Sequence, residues 1–170
     1  MQAFRKTAFA LSVTLLSLAF ADIGAAATTL KVSLWDKGDH KSALGTPIML
    51  GTMDEAALAE ALKTAKMGIT LDMAEVPAGE VIFDVTNDSD MIEHEMLVAP
   101  IADLTTPMPY DAVKMRVDES LSNDLGEVPE LLPAESGSLT LTLTPGIYLL
   151  YCNIQGHYAM GMWTILTVKG

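Results

Sequence analysis

The chain is short of the residues on which many functional sites depend. Its 170 residues include one cysteine, three histidines and ten basic residues against 22 acidic ones. A single cysteine excludes an intramolecular disulfide, and three histidines are too few to ligate several metal ions at once. The formal net charge of −12 disfavours nucleic acid and anionic membranes as partners, because both repel an acidic surface. The composition therefore favours a small acidic protein in which the few sulfur and imidazole groups have specific roles.

Long hydrophobic runs are also missing, except near the amino terminus. There Arg5 and Lys6 precede a short apolar run, and small residues follow it up to Ala27. This order is typical of a secretory signal peptide, and the run is shorter than the ~20 residues that a membrane-spanning helix needs. We therefore predict that residues 1–27 are a signal peptide and that residues 28–170 form a single exported domain without stable membrane insertion. An uncleaved membrane anchor is the alternative.

The single cysteine opens a motif close to the carboxyl terminus. Cys152, His157 and Met162 follow one another at intervals of five residues. Two imidazoles and a thiolate, with a weak axial thioether, form a mononuclear copper centre for electron transfer, and His94 is the upstream candidate for the second imidazole. Metal ligation also protects a lone cysteine that has no disulfide partner in an oxidising compartment. The alternative is an inert buried thiol beside a methionine-rich turn.

Alternation of apolar and polar residues predicts that the domain is built mainly from strands. The predicted strands are Leu30–Trp35, Val81–Val85, Ser138–Thr144, Ile147–Cys152 and Met162–Val168. The turn dipeptide Pro145-Gly146 separates the third from the fourth, which predicts an antiparallel hairpin whose second arm delivers Cys152. The metal-ligand motif then occupies one loop between the last two strands.

The stretch from Asp36 to Gly68 breaks this strand pattern. Good helix formers fill it from Met53 to Lys66, with acidic residues near the start and lysines near the end, an order that complements the helix dipole. Thr52 is in place to cap this helix. We predict that residues 36–68 are an insertion that carries a helix and splits the first strand.

A second interruption lies between Pro100 and Ala134. This segment is too long for an irregular loop in a compact domain. Val113, Val117 and Leu121 recur in it at steps of four, which is the spacing of one helix face. We predict a second short helix there.

Several local motifs together resemble the small cupredoxins, the blue copper proteins of the plastocyanin and azurin type. The motifs are Val76–Gly79, Val81–Asn87, His94–Met96, Leu139–Gly146, Tyr151-Cys152, Gly156-His157 and Gly161-Met162. The resemblance extends from Leu71 to Gly170. It implies an all-β, Greek-key β-sandwich or barrel with one or two short inserted helices and one type 1 copper ion at one end. It also implies equatorial ligation by His94, Cys152 and His157 and axial ligation by Met162, with Met160 as the alternative axial residue.

Two residues beside the predicted ligands depart from the usual cupredoxin pattern. Many members have asparagine after the first ligand histidine, where it ties the two ligand loops together, but here Glu95 follows His94. Many have threonine or serine after the ligand cysteine, but here Asn153 follows Cys152. Groups at such positions orient ligands and tune a metal. We hypothesise that Asn153 supplies the missing clamp between the loops.

The function that the resemblance implies is a periplasmic electron carrier that cycles between Cu(I) and Cu(II). The edge of His157 is predicted to be the electron port, with Tyr158–Met160 and Met91-Ile92 forming apolar surface beside it for brief docking. A charge introduced at Ala159 is then expected to slow electron exchange. The protein is predicted to be a monomer, and its acidic composition predicts a redox partner with a basic docking surface.

Catalysis by a copper enzyme is disfavoured by the residues around the cysteine. Multicopper oxidases and copper nitrite reductases place histidine beside the ligand cysteine, whereas Tyr151 and Asn153 flank Cys152. A binuclear copper site of the oxidase-subunit type needs a second cysteine, which is absent. The protein is therefore predicted not to be an enzyme. His40, which stands among charged residues, is predicted to be a solvated loop residue.

The alternative function is a periplasmic copper chaperone or storage protein that uses the same site. Methionine favours it, because thioethers prefer Cu(I) and the chain has 11 methionines. Four of them lie near the predicted inserted helix: Met49, Met53, Met67 and Met73. Filling of irregular gaps in the core is the simpler explanation for these side chains.

Overall fold

The computed structural model describes residues 26–38 and 46–170. Residues 1–25 of the predicted signal peptide, and His40, lie outside these ranges. No helix within them reaches the length and apolar character that crossing a bilayer requires.

The described residues form two main sheets and a short hairpin. The strands are β1 (Thr28–Asp36), β2 (Met67–Leu71), β3 (Glu75–Pro77), β4 (Gly79–Asn87), β5 (His94–Ile101), β6 (Tyr110–Asp111), β7 (Arg116–Val117), β8 (Glu127–Leu131), β9 (Ser136–Leu143), β10 (Gly146–Tyr151) and β11 (Trp163–Lys169). One sheet has the order β2-β1-β4-β9, the other has the order β3-β11-β10-β5-β8, and β6 pairs with β7. The predicted all-β Greek-key sandwich is confirmed, as are the positions of its predicted strands.

The main core lies between the two sheets. Along β4, alternate residues Val81, Phe83 and Val85 are fully buried, as the period of two predicts. Leu150 of β10 and Leu166 of β11 meet them from the opposite sheet. Burial of these side chains is the main source of stability, at about 1.5–3 kcal/mol for each large apolar side chain.

The predicted hairpin of β9 with β10 is wrong. β9 pairs with β4 in the first sheet, whereas β10 lies between β5 and β11 in the second. The link through Thr144 and Pro145 therefore crosses from one sheet to the other, and the hydroxyl of Tyr148 secures it by donating to the carbonyl of Thr144 at 2.9 Å. Alternation shows which face of a strand is apolar, and here both strands turn their apolar faces to the shared core. The hairpin that carries the metal-ligand motif is β10 with β11.

The helix predicted between residues 36 and 68 is confirmed as α1 (Glu55–Thr64), but this segment does not split one strand, because β1 and β2 on either side of it pair antiparallel as neighbours. Its cap is not Thr52, whose hydroxyl donates to the carbonyl of Met49 at 2.8 Å. Asp54 caps the helix instead, since its Oδ1 accepts a hydrogen bond from the amide of Ala57 at 2.8 Å. A carboxylate there also suits the positive end of the helix dipole.

The insertion covers the outer face of the five-stranded sheet and creates a second core. Leu50 and Leu58 of the insertion pack there against the aromatic side chains of Tyr151, Tyr158 and Trp163. This face of β10 and β11 is therefore buried against the insertion. Both faces of the hairpin that carries the motif are thus fixed by packing.

The segment from Pro100 to Ala134 contains a second short helix, as predicted, but Val113 and Val117 are not part of it. Val113 lies in the exposed turn between β6 and β7, and its amide donates to Oδ1 of Asp111 at 2.8 Å. Helical structure is limited to α2 (Glu119–Ser122). The aspartate turn satisfies the backbone locally, so the spacing of four does not produce a helix.

Candidate metal centre

The structure brings together three of the four predicted ligands. The candidate ligand atoms of His94, Cys152 and His157 all lie within 4.8 Å of one another. Nδ1 of His157 is 3.3 Å from Nδ1 of His94 and 3.3 Å from Sγ of Cys152. Two imidazole nitrogens and one sulfur therefore face a common point at one end of the sandwich.

Three elements deliver these side chains. His94 is the first residue of β5, and Cys152 directly follows β10. His157 ends the intervening loop, just before a 3-10 turn at Tyr158–Met160. Positions at strand ends are held more rigidly than positions in free loops, because the neighbouring backbone is fixed by the sheet.

The ligand loop is closed by its own backbone. The amide of Cys152 donates to the carbonyl of Met162 at 3.1 Å, and the amide of Met162 donates to the carbonyl of His157 at 3.1 Å. Gly161 ends the 3-10 turn with φ of 90°, a left-handed conformation that glycine adopts without strain. These bonds confirm that the motif forms one loop with Cys152 and Met162 at its ends.

Burial and donor chemistry both suit a metal ion. His94 and Cys152 are fully buried, and His157 is 8% exposed. Desolvation raises the pKa of the Cys152 thiol to about 12, so a nearby cation is needed to convert it to the thiolate that binds metals. Soft sulfur with two imidazoles in a site protected from water is the donor set of a blue copper centre. The group fits one type 1 copper ion.

Met162 is placed close to this group by the loop. It is fully buried and belongs to the same core cluster as Cys152. Met160 is only partly buried, and its methyl group lies 3.8 Å from the point where a Cβ on Gly156 would stand. The axial role of Met162 stays a prediction, and the backbone bonds from Met162 to both Cys152 and His157 support it.

An aspartate that the sequence analysis did not single out faces the outer nitrogen of one histidine. Oδ2 of Asp36 is 3.4 Å from Nε2 of His94, and both side chains are almost completely buried, at 2% and 0% exposure. The signal for it lies in β1, where Leu30, Val32 and Leu34 face the core at alternate positions. The same alternation places Asp36 on that inward face.

The loop that precedes His94 is held by Asn87. Its Nδ2 donates to the carbonyl of Ile92 at 2.9 Å and to the carbonyl of Leu131 at 2.7 Å, while its Oδ1 accepts from the amide of Ser89 at 3.0 Å. Asn87 thus ties this loop to β8. The side chain is fully buried, so it has no water to replace these partners.

Asn153 forms a clamp, but between different segments from those we hypothesised. Its Oδ1 accepts from the amide of Val117 at 2.7 Å, and its Nδ2 donates to the carbonyl of Val117 at 3.0 Å and to Oε1 of Glu119 at 2.7 Å. These bonds join the residue after Cys152 to β7 and α2. The hypothesis of a clamp to the loop that carries His94 is therefore corrected.

Glu95 is an unusual neighbour for a metal ligand because it is almost fully buried. Its pKa is raised to about 7, and desolvation by burial is the largest cause. The negative charges of Glu130, Glu127 and Glu119 raise the pKa further, whereas the positive charge of Arg116 lowers it. The carboxyl groups of α2 and β8 therefore create a negative field close to the centre. The small share of basic residues predicted an acidic surface, but not its concentration here.

The predicted docking surface needs a second correction. Tyr158 and Ala159 are buried in contact with the insertion, so they do not form apolar surface at the electron port. His157 instead lines an open groove of about 390 Å³. The other residues that line the groove are Met91, Ile92, Glu93, Leu132, Pro133 and Ile154. Of the two predicted apolar segments, only Met91-Ile92 lies there.

A Greek-key sandwich with a buried His-Cys-His group at one end is the arrangement that the resemblance to the cupredoxins implies. No protein-family model and no curated protein sequence matches the chain. Among solved structures, the chain is similar to reduced auracyanin from Roseiflexus castenholzii, with 19% identity over 84% of this chain and 98% of the other, and a TM-score of 0.48. It is also similar to auracyanin A from Chloroflexus aurantiacus, described as a "blue" copper protein, with 18% identity over 84% and 99% of the two chains and a TM-score of 0.49. Rusticyanin from Thiobacillus ferrooxidans shows 17% identity over 84% and 78%, with a TM-score of 0.49.

Proposed function

We propose that the protein is an exported, periplasmic type 1 copper protein that acts as a small electron carrier and not as an enzyme. In this proposal His94, Cys152 and His157 are the equatorial ligands and Met162 is the axial ligand. The observation that carries it is the convergence of two Nδ1 atoms and one Sγ in a buried site. A bound copper ion would supply a one-electron couple between Cu(I) and Cu(II).

The protein contributes a site that changes little between the two oxidation states. The two ligands at strand ends are fixed by the sheets, and the third is fixed by the closed loop between β10 and β11. Burial of His94 and Cys152 keeps water away from the metal. A preorganised, dry site lowers the rearrangement that accompanies each electron transfer, because the donor groups are already in place.

Electron exchange is proposed to occur through the groove at His157. This imidazole is the only one of the three grouped ligands with measurable exposure, and Met91 and Leu132 beside it are 71% and 56% exposed. Exposed apolar side chains around a ligand suit a brief contact with a redox partner. The edge of His157 then gives the shortest route from the site to the partner.

The acidic side chains around Glu95, which follows His94 in the sequence, support a partner with a basic docking surface. Glu119, Glu127 and Glu130 are exposed on α2 and the edge strand β8, and each acts on the buried Glu95. Opposite charges on a partner would accelerate the encounter, and salt would weaken that effect. The rate of reduction by a basic redox protein should therefore fall as ionic strength rises, and a rate that rises with salt would oppose this partner assignment.

The decisive experiment is to load the chain of residues 28–170 with Cu(II). We expect an intense visible band from thiolate-to-copper charge transfer, and its reversible loss and recovery on reduction and reoxidation. Cys152→Ser should abolish the band, while Met160→Leu should preserve it and Met162→Leu should alter it. A colourless wild-type protein would exclude the type 1 centre. Equal spectra for the two methionine variants and the wild type would exclude Met162 as the axial ligand.

A copper chaperone or storage role is the second candidate, and one observation favours it. The terminal methyl groups of Met115 and Met160 both lie beside Gly156, next to His157, and Met91 lines the same end of the protein. Thioethers in such a position suit the capture of Cu(I). By contrast, Met67 lies in the main core, and Met49 and Met53 pack against the second core.

Copper transfer separates the two roles. An electron carrier should keep its copper during many redox cycles in the presence of a Cu(I)-binding acceptor. Rapid transfer to the acceptor that slows on combined substitution of Met91, Met115 and Met160 by leucine would favour the chaperone instead. Leucine keeps the side-chain volume, so a loss of stability would not explain the difference.

A further inference from the structure

Asp36 has an unexpected position for a charged residue. It is the last residue of β1 and continues the inward-facing series of Leu30, Val32 and Leu34. Its side chain is 2% exposed. A buried carboxylate is costly unless hydrogen bonds or opposite charges compensate for the water it has lost, so its contacts indicate why it is there.

The two oxygens of Asp36 have different partners. Oδ1 accepts a hydrogen bond from the amide of Gly38 at 2.7 Å, which fixes the orientation of the carboxylate. Oδ2 is then directed to Nε2 of His94 at 3.4 Å, the long end of a hydrogen-bonding distance. The other ring nitrogen of His94, Nδ1, faces His157. The imidazole therefore lies between the carboxylate on one side and the candidate ligand group on the other.

We propose that Asp36 is a positioning residue for the metal centre. Its Oδ2 accepts a hydrogen bond from Nε2–H of His94, so that Nδ1 carries a lone pair toward the metal, and the carboxylate places a fixed negative charge behind this ligand. The inference deepens the proposed function and rests on it. A neutral imidazole has one protonated and one unprotonated nitrogen, and the partner of the protonated nitrogen decides which one remains for a metal.

The charge has a second consequence for the balance between oxidation states. A thiolate with Cu(II) and neutral imidazoles carries a net positive charge, whereas the same ligands with Cu(I) carry none. The buried carboxylate therefore stabilises the oxidised form more than the reduced form. Asp36 should lower the reduction potential and strengthen Cu(II) binding more than Cu(I) binding.

Asp36→Asn tests this inference with the shape of the side chain retained. We expect the affinity for Cu(II) to fall about tenfold and the affinity for Cu(I) to fall less. Tenfold is the lower end of the effect that residues hydrogen-bonded to a metal ligand have on metal affinity. If Cu(I) affinity did not change at all, the potential would rise by about 59 mV, which is tenfold for a one-electron couple. Equal losses for both oxidation states, or no loss, would overturn the proposal.

Asp72→Asn is the matched control. It removes the same charge, and Asp72 also accepts a backbone hydrogen bond, from the amide of Lys31 at 2.9 Å. Lys31 is five residues, or about 16 Å, from Asp36 along β1. The control should keep the wild-type affinities and potential. If Asp72→Asn shifted the reduction potential as much as Asp36→Asn does, the effect would come from net charge alone, and the proposal would be overturned.

A measurement on the metal-free wild-type protein covers the case in which Asp36→Asn does not fold. Nitrogen-15 NMR at pH 8 should show that His94 is protonated at Nε2 and unprotonated at Nδ1. The opposite tautomer would overturn the positioning role. Absence of copper binding by the wild-type protein would instead defeat the proposed function, and the tautomer would still report on the contact between Asp36 and His94.

Discussion

Among substitutions that remove one polar side chain from the hairpin of β10 and β11, Asn153→Ala should destabilise the protein most. The substitution removes two hydrogen bonds to the buried backbone of Val117 and one to the carboxylate of Glu119. A neutral hydrogen bond contributes about 1 kcal/mol, and one to a charged group about 1.5 kcal/mol where that group is exposed. The sum predicts a loss of about 3–4 kcal/mol in the free energy of unfolding.

Urea unfolding of the metal-free protein measures this loss. Metal must be absent because a ligand that binds only the folded state would change the apparent stability. With a slope of about 2 kcal/mol/M, which is ordinary for a domain of this size, the midpoint should fall by about 2 M. The matched control is Glu119→Gln, which keeps an acceptor for Asn153 and should cost about 1 kcal/mol or less.

Two results would refute this reasoning about Asn153. One is a loss below about 1 kcal/mol for Asn153→Ala, since the backbone of Val117 would then have found other partners. The other is a loss no larger than that of Glu119→Gln, because the bonds to Val117 would then contribute nothing. The copper-loaded variant gives an independent reading: an unchanged visible spectrum and potential would show that the clamp does not orient Cys152.

Three further predictions concern other parts of the same end of the molecule. Tyr158→Phe should lower the free energy of unfolding in urea by about 1–3 kcal/mol, because the buried amide of Leu50 loses the hydroxyl that accepts its hydrogen bond at 3.2 Å. Unchanged stability would contradict this. Cys152 in the metal-free protein should react with a thiol reagent only as fast as the protein opens, because its side chain is fully buried and burial also raises the pKa of the thiol; rapid labelling without denaturant would disprove it. Leu132→Asp should slow electron self-exchange, measured by NMR, about tenfold, because it adds like charge beside the groove at His157. The control Met73→Asp, between β2 and β3 at the far end, should leave the rate unchanged. Equal effects of the two variants would rule out the groove as the electron port.

Local sequence patterns predicted that His94, Cys152 and His157 come together, because most of the motif is concentrated in a short segment. The spacing of Cys152, His157 and Met162 needs only one closed loop between two strands, and the structure has that loop. His94 was found because the centre requires a second imidazole. The strands were predicted because their apolar alternation is strong, and α1 because its segment is rich in good helix formers with charges that complement the helix dipole.

Long-range pairing could not be predicted from the same patterns. Alternation in β9 and β10 identifies the apolar face of each strand, but it does not say in which sheet the strand lies. The turn dipeptide favoured a hairpin, whereas the two-residue link crosses the sandwich. Asp36 was missed for a related reason, since its contact with His94 joins residues 58 positions apart. The inward alternation of β1 would have identified it as a buried acid, although not its partner.

The contacts between the insertion and the hairpin of β10 and β11 bear on how this protein can be re-engineered. The amide of Ile48 donates to the carbonyl of Ala159 at 2.8 Å, and Nε1 of Trp163 donates to the carbonyl of Ile48 at 2.8 Å. Tyr158 and Trp163 follow His157 and Met162 directly in the sequence. A loop transplanted from a blue copper protein would therefore arrive without the anchors that hold residues 48–50. We therefore expect that among relatives a change of length or side chain in the loop is accompanied by a change in the insertion.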